Sequence, residues 1–204
     1  VPKTLTGLLL LVVVGLTACN HGHKFTAYEY DVVSAYIAAE FASHKSEDRP
    51  SKIVILNMTS SGDDDLIGDE HGRPYPWEKT AESLRQKAPS LQQATVDGFR
   101  RANARQAFLG RAFRFPIEYE IVDEARLAPI FKRDGGSWLA YYKQYPSSQG
   151  IATLSRVGFN ADGAQALFYI KNQCGGLCGS GWYVIMEKRD GRWMILKEIE
   201  MWVS

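Results

Sequence analysis

The chain has 204 residues, 45% of them apolar, and its 24 Lys and Arg balance 23 Asp and Glu to a formal net charge of +1. That is enough apolar material for a packed core, and it excludes a disordered, collagen-like or disulfide-dense miniature protein. With 23% charged residues and no long charged tail, the chain offers no electrostatic case for nucleic acid as a partner.

Residues 5–18, LTGLLLLVVVGLTA, form an apolar run that follows Lys3 and ends in small residues, the layout of an export signal. The run is shorter than the about 20 apolar residues that a membrane-crossing helix needs, and Asn20, His21 and His23 interrupt it. The string Leu16-Thr17-Ala18-Cys19 resembles the lipobox of bacterial lipoproteins, in which an aliphatic residue and two small ones precede a cysteine. The resemblance implies a signal peptide over residues 1–18 and lipid attachment at Cys19, with a diacylglycerol on the thiol and an acyl chain such as palmitate on the new N-terminus. Two or more chains hold firmly, because each buried methylene contributes about 0.8 kcal/mol. It also implies a membrane-anchored, periplasm-facing protein. Asn20 stands where an aspartate would retain such proteins in the inner membrane, so the outer membrane is expected where there are two.

Residues 19–27 read as a polar tether to a single domain over residues 28–204. His21 and His23 lie in this tether without the three or four converging ligands that a metal site needs, so no metal is expected. From Asp31, a candidate N-cap, Val33, Tyr36, Ile37 and Phe41 follow the spacing of one buried helix face. Residues 52–58, KIVILNM, have the continuous apolar run of a strand inside a sheet. The insertion that follows, SSGDDDLIGDEHGRPYP, outlines a calcium loop with Asp63, Asp65, Gly68 and Asp69. Ile67 and Pro74 stand where that loop needs ligands, so a solvated acidic loop is expected.

Trp77, Ala81, Leu84 and Ala88 predict a helix closed by Pro89. Ser90 and Gln93 have capping-box spacing and predict a second helix from Leu91 to Phe108, with Leu91, Thr95, Phe99 and Ala102 inward and Arg100, Arg101 and Arg105 outward. Phe113, Phe115, Ile117, Tyr119 and Ile121 alternate with polar residues and Pro116, which predicts an edge strand or a strand with a local break. A short strand or turn is expected over 127–132, then a helix from Ser137 to Tyr145 with Trp138, Leu139 and Tyr142 inward. Residues 151–159, 165–172, 181–189 and 192–203 read as strands, with Asp162-Gly163 and Asp190-Gly191 as turn signals. The expected fold class is α+β: N-terminal helices packed on one face of a mostly antiparallel sheet that ends in a C-terminal four-stranded meander.

Cys174 and Cys178 flank Gly175-Gly176-Leu177 in the segment expected to join two hairpins. An exported protein favours a disulfide here, and three intervening residues with two glycines can bring the Cα atoms within bonding range. A redox pair and a soft-metal pair are the alternatives, although the spacing is not Cys-x-x-Cys and no methionine or histidine is adjacent. The last third of the chain resembles a group of uncharacterised bacterial exported proteins with a Cys-Gly-x-Leu-Cys-Gly turn, a resemblance that implies a fold and no activity. Trp182, Trp193 and Trp202 are expected to pack the sheet.

No nucleophile elbow, zinc-protease helix motif, phosphate loop or dinucleotide fingerprint is present. His44 and His71 fall outside the regular elements, and Glu118 and Glu120 share the wet face of a strand. No cofactor and no catalytic residue is assigned. The reading is a lipid-anchored envelope protein that acts as a non-enzymatic binding or accessory module, held to a membrane through Cys19 and meeting an envelope component. The alternative is a thiol, disulfide or soft-metal protein working through Cys174 and Cys178.

Overall fold

The β-branched and aromatic runs of the last 57 residues pair with their chain neighbours, whereas the earlier strands find distant partners. The computed structural model describes residues 23–43, 51–60, 76–132 and 137–204. In chain order these form β1 (His23–Lys24), α1 (Ala27–Ser43), β2 (Lys52–Leu56), α2 (Trp77–Lys87), α3 (Gln93–Asn103), β3 (Ala107–Phe108), β4 (Glu118–Val122), α4 (Glu124–Lys132), α5 (Trp138–Gln144), β5 (Ser148–Leu154), β6 (Gly158–Phe159), β7 (Gln165–Gly175), β8 (Cys178–Arg189) and β9 (Arg192–Val203). Cys19, His21, His44, His71 and the acidic stretch from Asp63 to Asp69 lie outside the described residues. No helix among the described residues is long and apolar enough to cross a membrane.

The fold is α+β. A seven-stranded sheet has the order β4-β2-β5-β7-β8-β9, with β6 also paired to β7. Strands β5, β7, β8 and β9 are antiparallel neighbours, the expected meander. Strand β2 lies inside the sheet, parallel to both β4 and β5, so its unbroken apolar run has protein on either face. Strand β4 is one edge, with β9 at the other. It is shorter than expected because Pro116 lacks a donor, and pairing begins only at Glu118.

Helices cover both faces of this sheet, not one. Helix α1 packs through Val33, Tyr36 and Ile37 with Ile55, Ala152, Leu154, Phe168, Val184 and Met186. The alternate residues Leu167, Tyr169, Tyr183 and Ile185 turn the other way, into a cluster with Leu84, Leu91 and Phe99 of the α2–α3 region. Val54 and Ile151 share that side with Tyr141 and Tyr145. Full burial of each large apolar side chain contributes about 1.5–3 kcal/mol, so both layers are needed for stability.

Several boundaries differ from the expected ones, each for a local reason. Helix α1 starts before Asp31, because Thr26 and Glu29 form the capping box: the Thr26 amide donates to Glu29 Oε2 at 2.8 Å and the Glu29 amide to Thr26 Oγ1 at 3.3 Å. Glu29 is buried and is also gripped by Arg156, whose Nε and Nη2 donate at 3.0 and 3.1 Å. Its network ties the start of α1 to the segment after β5. His23 and Lys24, in the stretch read as a tether, pair with Ala107 and Phe108.

Helix α3 begins at Gln93 without a serine cap. Gln165 of β7 serves instead, its Oε1 accepting from the Gln92 amide and Thr95 hydroxyl, both at 2.8 Å. The helix ends at Asn103, whose side-chain amide turns back to the Phe99 carbonyl and to Arg156. Residues 124–132 are helical, not strand or turn, with Pro129 inside the helix. In α5, capped by Ser137, Trp138 and Tyr142 pack half-buried against the core as expected, but the fully inward residues are Tyr141 and the C-cap Tyr145, while Leu139 is 68% exposed.

Candidate functional site

Registers across the sheet place alternate side chains of five strands on the α1 face. Ile55 lies beside Ala152, Ala152 beside Asn172, and Asn172 beside Ser180. In the next row Leu154 lies beside Ile170 and Ile170 beside Trp182. Helix α1 covers part of this surface, and between its last turns and these two rows lies a cavity of about 300 Å³. Its floor is apolar, including Ile53, Ile170 and Trp182, and all three are only half-buried. Tyr36, Ile37 and Glu40 of α1 form one wall, Gln149, Asn172 and Ser180 add polar groups on the side of the first row, and Glu198 of β9 completes the lining.

Glu198 reaches this face through a β-bulge. Met186 pairs with Ile195, but its neighbour Ile185 pairs with Lys197, so Leu196 is the extra residue. One extra residue reverses which side chains face which way. Trp193 and Ile195 pack on the α1 side and Leu196 and Ile199 on the other, so Glu198, opposite Val184, lands on the α1 side and Lys197 does not. The Tyr36 hydroxyl donates to Glu198 Oε1 at 2.8 Å. Burial, and then the Glu198 and Glu40 charges, push the Tyr36 hydroxyl far above the usual tyrosine range. It therefore stays protonated and holds the carboxylate in place.

The structure brings Cys174 and Cys178 to disulfide-bonding distance, with Cα atoms 5.1 Å apart. They sit at the tip of the β7–β8 hairpin rather than between two hairpins, and Leu177 between them is 91% exposed. The Tyr142 hydroxyl donates to the Cys174 carbonyl at 2.9 Å. Gly150 backs the pair at φ +106°, where a side chain would run into the Gln173 carbonyl and Cys174, so this close approach requires glycine.

Glu118 and Glu120 join a surface network in which Lys52 lies 3.5 and 2.9 Å from them and Arg126 lies 3.1 Å from Glu120. Hydrogen bonding to Glu120 raises the Lys52 ammonium above its ordinary value. Trp202 donates to the Tyr169 hydroxyl at 2.8 Å and Trp193 packs near Phe159, both packing roles. Trp182 has a second role as cavity lining. Tyr36 is legible in the sequence only as a core position and Glu198 only as a charge within a strand, because strict alternation carries no trace of the bulge. Compared with known protein families, curated proteins and solved structures, the chain matches none.

Proposed function

We propose that the chain is a lipid-anchored protein of the bacterial cell envelope and works as a small-molecule binding module, with Cys19 as the attachment point and the α1–sheet cavity as the binding site. The carrying observation is the cavity itself: a half-open apolar floor with polar groups at its margin is the usual composition of a ligand site, and its volume lies at the small end of the 300–1,000 Å³ range. The Leu16-Thr17-Ala18-Cys19 string supports the anchor. Cys174 and Cys178 are assigned a structural part, since their place across a hairpin tip lacks the helix N-terminus that activates redox cysteines.

The binding reading is tested with 2-phenylethanol as a neutral probe of cavity size. Saturation-transfer NMR on the full chain should show the probe bound, and Ile170→Trp, which fills the floor, should abolish the signal. Leu139→Trp, at an exposed position away from the cavity, should leave it unchanged. A silent wild-type chain, or a signal indifferent to Ile170→Trp, would sink the reading. For the anchor, Cys19→Ser should release the protein from the membrane fraction, and unchanged fractionation and mass would remove it.

A further inference from the structure

We infer that the cavity selects a ligand with a compact apolar body and a positively charged ammonium head, the body lying on Ile53, Ile170 and Trp182 and the head meeting Glu198. The inference rests on the binding reading above and adds the charge of what is bound.

Three observations carry it. First, the lining contains the carboxylate of Glu198, and among the described residues that form it none is basic. An anionic ligand would be desolvated against like charge, whereas an ammonium finds its counter-ion in place. Second, Glu198 is oriented before any ligand arrives. Tyr36 engages Oε1 at 2.8 Å, and a carboxylate offers about four lone-pair sites, so the hydroxyl fixes the group while leaving acceptor capacity. Third, the bulge at Leu196 decides the sign. It sets Glu198 opposite Val184 and Glu200 opposite Trp182, on the α1 side, and turns Lys197 to the opposite face. Without it, Lys197 would face α1 in place of the two acids. Trp182 adds an aromatic ring to the lining, and an indole attracts cations that come within about 6 Å of its centre over the ring face. Gln149, Asn172 and Ser180, across the floor, suit a neutral polar substituent at the far end of the ligand.

The test compares three probes with the same phenylethyl body by titration calorimetry on the full chain at neutral pH: 2-phenylethylammonium, 2-phenylethanol and 3-phenylpropionate. Charge-assisted hydrogen bonding predicts that the ammonium binds about tenfold more tightly than the alcohol, with the carboxylate weakest. Glu198→Gln should erase the preference for the ammonium over the alcohol while the alcohol still binds. Tyr36→Phe, which keeps the carboxylate, should retain the preference in weakened form. If the alcohol or the carboxylate binds as tightly as the ammonium, the charge inference falls and the binding site survives. If none of the three binds, both fall. Should Glu198→Gln fail to fold, the three-probe comparison on the unaltered chain decides the matter alone.

Discussion

Burial sorts the tyrosines of this protein into distinct chemical populations. Tyr28 is 72% exposed, whereas Tyr141 is fully buried and Tyr36 nearly so. Desolvation pushes the Tyr141 hydroxyl up to about 12, against an opposing hydrogen bond with Ser148, and burial pushes Tyr36 further. In the unfolded chain both would ionise near 10.0. A folded-state value above the unfolded one means that the stabilisation is fully present below pH 10 and is lost as pH rises through the folded values. Denaturant unfolding between pH 9 and 12 should therefore show constant stability up to about pH 10 and then a loss of roughly 3–5 kcal/mol by pH 12 from the two groups together. Tyrosinate absorbance should rise in two stages, with exposed side chains first. A single stage, or stability that does not change across this range, would contradict the assignment.

Between elements, α3 and β6 meet backbone to backbone at two glycines. A Cβ on Gly98 would strike the Phe159 backbone, and one on Gly158 would strike the backbone of Phe99. Backbone on both sides cannot move aside as a flexible side chain can, so Gly98→Ala should cost about 1–3 kcal/mol. Gly176→Ala, with nothing within 4 Å, should change stability by less than about 0.5 kcal/mol. Thermal melts of the two variants check this, and equal melting temperatures would refute the contact. Elements whose signals are local were legible in the sequence: α2 from Trp77 and Leu84, and the β8–β9 hairpin from Asp190-Gly191. The ends of α3 were not, because its N-terminal cap comes from Gln165 of a distant strand. Helix α4 was hidden by Pro129, and the inward face of α5 by the similar apolarity of Leu139 and Tyr141. The cavity drew its lining from separate elements plus one bulge, so no stretch of sequence announced it.

Across the whole molecule, period-two patterning showed that a sheet exists but not how its strands are ordered. Lys52–Leu56 was readable as an interior strand, yet nothing in KIVIL says that its neighbours are Glu118–Val122 and Ser148–Leu154. That ordering has a consequence for how the protein reaches its native state. Strands β7, β8 and β9 are joined by tight connections and can zip together early, whereas β2 has no partner until a long connection closes to bring in β4 or β5, and non-local pairing is slow for that reason. Pulse-labelled hydrogen exchange during refolding should find amides of β7–β9 protected before those of β2 and β4, and the reverse order would overturn this sequence of events. Until β4 and β5 arrive, Val54 and Ile55 are without the strands that flank them in the native sheet. The same placement that sets β2 between two strands in the native sheet makes it an aggregation-prone segment of the nascent chain.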